Sequence, residues 1–368
     1  VIAQPTVTFL SGGNPITNAG AITYNNTSGN TWTAAYTAHT NDTDGAVSFT
    51  ISYSDLAGNS GTNVTSVTNA SSVTFDKTVP TLSGVGIVSN NPTDTLSIVN
   101  DVVIVTFTSS EAIGTKVVTF LSGGDPIANA GAITYNNTSG NTWTAAYTAH
   151  TNDTDGVVTY SIVVGDLAGN PGTAVTTGSG SVTFDKTAPT LTSASITSDN
   201  SPATHANPGD VVTVTLAASV AISQPVVTFK SGGNAVSDGS ITYVGSGANW
   251  TAAYTAGASD TEGAVSFTIA YSDLAGNAGT NVTSVTNASS VTFDKTAPTL
   301  TSASIASDYS TNTLASTNDE ITVTLTASEV IAQPTVTFLS GGNPITNAGA
   351  ITYNNTSGNT WTAAYTAH

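Results

Sequence analysis

The chain has no cysteine, no methionine and no arginine, and five lysines are its only basic side chains apart from four histidines. Without cysteine, neither disulfides nor thiolate metal sites can hold the fold, so stability must come from core burial, with hard cations as an inorganic aid. Twenty-three acids give a formal net charge of -18. That balance excludes nucleic acid and anionic membrane surfaces as partners, since both are bound through clustered Lys and Arg. No run of 18 apolar residues is present, which excludes direct membrane insertion of this segment by a helix. Val1-Ile2-Ala3-Gln4-Pro5 is not a signal peptide, so targeting information is expected to lie outside the segment. Charged residues make up only 8%. Surfaces are therefore built from Thr, Ser, Asn and Ala, which lose little side-chain entropy on packing, and low charge favours association.

Ser and Thr, in contrast, account for 112 of the 368 residues. β-branched Thr packs well on a pleated surface, so strand rather than helix is expected. Self-comparison dominates everything else. Val1 to His39 recur unchanged as Val330 to His368, an offset of 329 residues. Within it, Lys77, Lys186 and Lys295 of an Asp-Lys-Thr motif are spaced by 109. The period is thus a triplet of domains, and the chain reads as a window on a longer array. The expected divisions are a partial domain over residues 1–77 without its first two strands, complete domains over 78–186 and 187–295, and a partial domain over 296–368 without its last two strands.

Alternation of apolar and small polar residues marks half-buried strands. In the second unit it predicts strands over Leu82–Ser89, Val102–Thr108, Val117–Leu121, Ile133–Tyr135, Thr142–Thr148, Val157–Val164 and Ser181–Phe184. Gly12-Gly13, Ser28-Gly29-Asn30 and Ala57-Gly58-Asn59 supply turns that tolerate positive φ. Seven short strands with turns at this spacing indicate an all-β chain of tandem immunoglobulin-like sandwiches. Trp32, Trp143 and Trp250 fall on the apolar face of the fifth strand and are expected in the core. Successive units meet at Asp76-Lys77-Thr78-Val79-Pro80-Thr81-Leu82 and its copies from Asp185 and Asp294. Proline fixes its own φ and pushes the preceding residue to extended geometry, so the connection is expected to be stiff and the array a linear rod or fibre.

These junctions, the Ser-Glu at Ser110-Glu111 and Ser328-Glu329, and the Asp-Leu-Ala-Gly-Asn loops at Asp55, Asp166 and Asp273 resemble the bacterial immunoglobulin-like repeats of giant cell-surface proteins, including type I-secreted adhesins. The resemblance implies secretion or cell-surface localisation, a linear architecture, and often calcium at domain boundaries. The job of any one such protein is not implied, because these repeats space apart binding modules that differ.

Calcium takes six to eight oxygens, which converging carboxylates can supply. Placing the first–second and fifth–sixth strand loops at the exit pole, and the second–third and sixth–seventh loops at the entry pole, gathers acids across each junction. The first would collect Asp42, Asp44 and Asp76 with Glu111 and Asp166. A second would collect Asp101, Asp153, Asp155 and Asp185 with Asp273, weakened because Val220 stands where a glutamate would. The third would collect Asp210, Asp260, Glu262 and Asp294 with Glu329. Turn chemistry is the alternative, since Asp accepts hydrogen bonds from its own following backbone, and Asp55, Asp166 and Asp273 could simply cap their turns.

No catalytic constellation is present. The four histidines include three copies of one loop position, His39, His150 and His368, and no Ser-His-Asp arrangement or His cluster accompanies them. An enzyme is not expected. Partners are expected to be neighbouring repeats of the same chain and other copies of it. The role is a passive surface fibre or stalk, with a self-associating filament or sheath, or a sugar- or ice-binding module, as the alternatives.

Overall fold

A computed structural model describes residues 1–17, 19–237, 239–345 and 351–368. The described residues hold strands and single 3-10 turns at Ala19–Ala21 and Ala130–Ala132, with no α-helix. In the second unit the strands are β1 (Leu82–Ser89), β2 (Val102–Ser109), β3 (Ile113–Ser122), β4 (Thr134–Ser139), β5 (Thr142–Thr148), β6 (Gly156–Asp166) and β7 (Val182–Phe184). One sheet runs β4-β5-β2-β1 and the other β3-β6-β7, extended by the two-residue strands Asp125–Pro126 beside β3 and Leu96–Ser97 beside β7. That is the immunoglobulin-like order. The third unit repeats it, with Leu191–Ser198, Val211–Ala218, Asn249–Thr255 and Thr242–Ser246 in one sheet and Val226–Ser231, Gly263–Ala270 and Thr292–Phe293 in the other.

Alternation explains the layering. Along β2 buried and half-buried residues alternate strictly, so Val103, Val105 and Phe107 point inward. They meet Ile162 and Phe184 from the opposite sheet in one core cluster, where Phe120 packs on Tyr147 at 4.8 Å between ring centroids. The tryptophans do not enter the core as expected. Trp143 and Trp250 are partly buried at its rim. At the rim the indole N–H of Trp250 reaches the Gly247 carbonyl at 3.1 Å. The Trp143 ring lies 3.9 Å under the Lys116 ammonium.

The loop that carries the junction acids is fixed from within each unit. Gly12 and Gly13, at φ +55° and +82°, make the tight turn between Ser11 and Asn14. A Cβ on Gly12 would collide with the Asp44 carbonyl, and one on Gly45 would lie 2.8 Å from the Gly12 Cα. The same backbone-to-backbone approach recurs at Gly123 with Gly156. Beside it Ser11, Ser122 and Ser231 each donate at 2.7 Å to the carbonyl of Thr43, Thr154 or Thr261. Gly123→Ala, which needs φ +59° and meets the Asp155 carbonyl at 2.5 Å, is expected to cost about 1–3 kcal/mol. A urea titration checks it, and an unchanged midpoint would contradict the packing.

Candidate functional site

The loop sequence Asp-Thr-Asp/Glu-Gly sends its two acids in opposite directions. Asp42, Asp153 and Asp260 turn inward and are buried. Asp42 accepts from the Thr17 N–H at 2.7 Å and the His39 N–H at 2.8 Å, and Asp153 from Ala128 at 2.7 Å and His150 at 2.8 Å. Asp260 accepts from Ser237 at 2.5 Å and Gly257 at 2.9 Å. Two backbone amides hold the Asp42 carboxyl below the usual carboxylate range. Burial pushes Asp260 up, but the Gly257 and Ser237 amides outweigh it, so its carboxyl also lies below that range. These three acids fasten their own unit and are satisfied there.

The second acid of each pair turns outward to the linker. Asp44 accepts from the Lys77 N–H at 3.0 Å and the Thr78 hydroxyl at 2.5 Å. Asp155 accepts from the Lys186 N–H at 2.8 Å and the Thr187 hydroxyl at 2.7 Å. Glu262 takes the same pair of donors from Lys295 and Thr296, at 3.0 and 2.5 Å, and these bonds hold its carboxyl low. Sequence reasoning missed the role of the linker lysine. Lys77 donates its ammonium to the Thr40 and Asp42 carbonyls at 2.8 and 2.6 Å, Lys186 to Thr151 and Asp153 at 3.0 and 2.6 Å, and Lys295 to Ala258 and Asp260 at 3.2 and 2.8 Å. A basic residue at one fixed step after the last strand in every unit was the available signal.

The following unit grips the same linker from the other side. Asp166 accepts from the Gly169 and Asn170 amides at 2.7 and 2.8 Å and from the Asn170 side chain at 2.7 Å, which is the turn-capping role. Burial raises its pKa, but these bonds outweigh it and leave the carboxyl low. Held in this way, the Asn170 side-chain amide also donates to the Asp76 carbonyl at 3.0 Å. Asp273 and Asn277 repeat the device on the Asp185 carbonyl, again at 3.0 Å. Ser110 adds a reciprocal pair, its N–H donating to the Thr81 carbonyl at 2.9 Å and its hydroxyl accepting from the Thr81 N–H at 3.0 Å. Ser219 with Thr190 and Ser328 with Thr299 do likewise.

Of the fifteen acids that sequence reasoning grouped, one cluster of three forms among the described residues. Ligand atoms of Asp76, Glu111 and Asp166 lie within 4.8 Å of one another. Burial, then the charges of Asp76, Asp166 and Asp44, push the Glu111 carboxyl above its ordinary value. Lys77 does not relieve this, being committed to the Thr40 and Asp42 carbonyls. Oxygen-only ligands carrying excess negative charge suit a hard divalent cation and no soft one. At the second junction Asp185 and Asp273 share Asn277, but Val220 leaves the third position without an oxygen. Asp101 is engaged elsewhere. It accepts from the Ile98 N–H and from the Asn91 side chain, both at 2.8 Å, and aims Asn91 at the Ala275 carbonyl across the junction, 3.0 Å away. Asp210 accepts from Asn207 in its own turn at 2.8 Å. At the third junction burial, then Asp294 and Glu262, raise the Glu329 carboxyl.

No protein-family model matches the chain, and no curated protein matches it in sequence. Solved structures do align with it. The three-domain I-band fragment I67–I69 of titin is 11% identical, over 79% of this chain and 89% of that one, at a TM-score of 0.32. Dpr2 Ig1–Ig2 in complex with DIP-Theta Ig1–Ig3 is 13% identical, over 79% and 90%, at 0.25. The N-terminal eight immunoglobulin domains of DSCAM are 11% identical, over 100% and 46%, at 0.23. These scores bear on neither activity nor partners. The chain is a tandem array of immunoglobulin-like sandwiches by its own strand order.

Proposed function

We propose that this chain is a structural repeat region of a giant extracellular protein, of the bacterial surface type its junctions resemble, forming an extended fibre or stalk. The observation that carries the reading is that the linkers are held by one repeated set of bonds. Lysine and the outward acid tie each linker to the preceding unit, and serine ties it to the following one, joined by asparagine where the sixth–seventh strand loop is present. Joints that share the lysine, acid and serine bonds favour a similar relation at each step, which a spacer needs and an enzyme does not. Calcium at Asp76, Glu111 and Asp166 would join the linker to the second unit and neutralise their mutual repulsion.

Asn170→Ala with Asn277→Ala removes the asparagine clamp on the first two of the three linkers. The expected loss is about 1 kcal/mol per junction, with each sandwich left intact. Small-angle scattering of the full chain should show an extended particle whose maximum dimension shortens and whose profile broadens in the double variant. A compact wild-type particle, or a double variant that scatters identically, would count against the stalk. Self-association, the second reading, is favoured by the low charge of the surface, with only 8% of residues charged.

A further inference from the structure

The two sheets of each complete sandwich meet along one open side, and a tyrosine closes it. β3 has only the two-residue strand Asp125–Pro126 on its outer side, paired with Leu121 and Ser122. In the third unit Val226–Ser231 has only Asn234–Ala235 there, paired with Lys230 and Ser231. The rest of each strand is an edge, and an edge offers its N–H and C=O groups to another strand.

The hydroxyl of a tyrosine from the other sheet occupies that edge. Tyr135 on β4 accepts from the Val118 N–H at 2.9 Å. Tyr243 accepts from the Val227 N–H at 3.0 Å and donates to the Val227 carbonyl at 3.5 Å. Tyr24 does both at Val7, at 3.0 and 3.4 Å, and Tyr353 at Val336, at 3.1 and 3.4 Å. An added antiparallel strand would exchange this same pair of bonds with one residue. The phenol thus stands in for one residue of a partner strand.

Lysine marks the same edge. Three of the five lysines lie in linkers, and the other two, Lys116 and Lys230, are on the edge strands of the two complete units. A lysine on an edge strand resists pairing, because a partner strand would crowd its charge. The segment beside it invites pairing. Val117 and Val226 are 56% and 61% exposed, and an apolar groove of about 600 Å³ beside β3 is lined by Val117, Leu121, Pro126, Ile133 and Tyr135 among others. A matching strand is at hand in every copy, since residues 118–122 repeat residues 7–11 without change. Such uncharged runs of β-branched and aromatic residues pair readily with themselves.

We infer that the tyrosine hydroxyl and the edge lysine together guard this strand, holding off its antiparallel pairing with the same strand of a second copy of the chain. Pairing would require the hydroxyl to leave Val118 or Val227 and a lysine to enter the contact. The guard matters most in an array of near-identical units, where every neighbour carries a matching edge and misassembly is the characteristic failure. Association through the sheet faces does not use these edges, and the inference does not rest on the stalk reading.

Tyr135→Phe with Tyr243→Phe keeps both rings and removes both hydroxyls from the full chain. Hydrogen exchange at the Val118 and Val227 amides should quicken. Sedimentation should show association about tenfold tighter than that of the wild type, the equivalent of one hydrogen bond that pairing no longer has to break. Adding Val117→Lys and Val226→Lys should return association to wild-type strength, because like charges on paired strands repel. Both valines are exposed, so this rescue leaves the sandwich core alone. A hydroxyl with a merely structural role would lower the melting temperature of the double phenylalanine variant without changing its association. That result, unchanged exchange at the two amides, or tighter association that survives the added lysines would overturn the guard.

Discussion

Asp260→Ala is expected to destabilise the third unit by about 2–5 kcal/mol, the cost of leaving two buried amides without an acceptor. The carboxylate is 2% exposed and is the acceptor for Ser237 and Gly257. The Lys295 ammonium, bonded to the Asp260 carbonyl at 2.8 Å, loses its neighbouring charge in the same step. Asp260→Asn should fall between, because its oxygen serves one amide while its own NH2 faces the other. The pH dependence has a definite sign. Asp260 lies below its ordinary value in the folded unit, so its contribution is present above the ordinary carboxylate range and is lost as pH falls through the folded pKa. Urea titrations at pH 7 and pH 3 should therefore differ more for the wild type than for Asp260→Ala. Hydrogen exchange should quicken at Ser237 and Gly257. A variant with the wild-type midpoint at pH 7 and an unchanged acid response would refute the buried-carboxylate account.

Those inward acids mark where sequence reading went astray. Leu82–Ser89 and Thr142–Thr148 are strands over the residues that alternation assigned, because strict period-two patterning fixes both strand and face. Asp42, Asp153 and Asp260 were grouped with the junction acids because nothing local separates them from Asp44, Asp155 and Glu262. A clue lay in the third unit. A longer glutamate is accepted at the outward position, where Glu262 still reaches the Lys295 N–H, while the inward position keeps aspartate, whose length fits between two amides. The duplicated stretch shows a limit that no local reading overcomes. Thr6–Ser11 is a six-residue strand beside Gly45–Ser52, yet the same sequence at residues 335–340 is strand only at Leu339–Ser340. Likewise Thr31–Ala35 lengthens to Thr360–Thr366 in the copy that pairs with Glu320–Ala327. Pairing partners, not the strand's own residues, decide these lengths.

Calcium should bind the first junction and raise the melting temperature of the second unit by roughly 10 °C at a hundredfold excess over Kd. Asp76, Glu111 and Asp166 each bring one ligand atom to within 4.8 Å of the others, and the ion would offset the repulsion that, together with burial, raises the Glu111 carboxyl above its ordinary value. In chelator the sign reverses. A carboxyl raised above its unfolded value contributes stability at low pH and loses it as pH rises, so Glu111 works against the junction at pH 7. Glu111→Gln should therefore stabilise the chelator-treated chain while abolishing its response to calcium, a pair of opposite shifts that simple loss of a hydrogen bond cannot produce. Val220→Glu supplies the missing oxygen beside Asp185 and Asp273 and should add one calcium per chain in a calorimetric titration. If calcium leaves the wild-type melting temperature unmoved, or moves Glu111→Gln equally, the three carboxylates are not a metal site. The junction is then held by the lysine, serine and asparagine bonds alone.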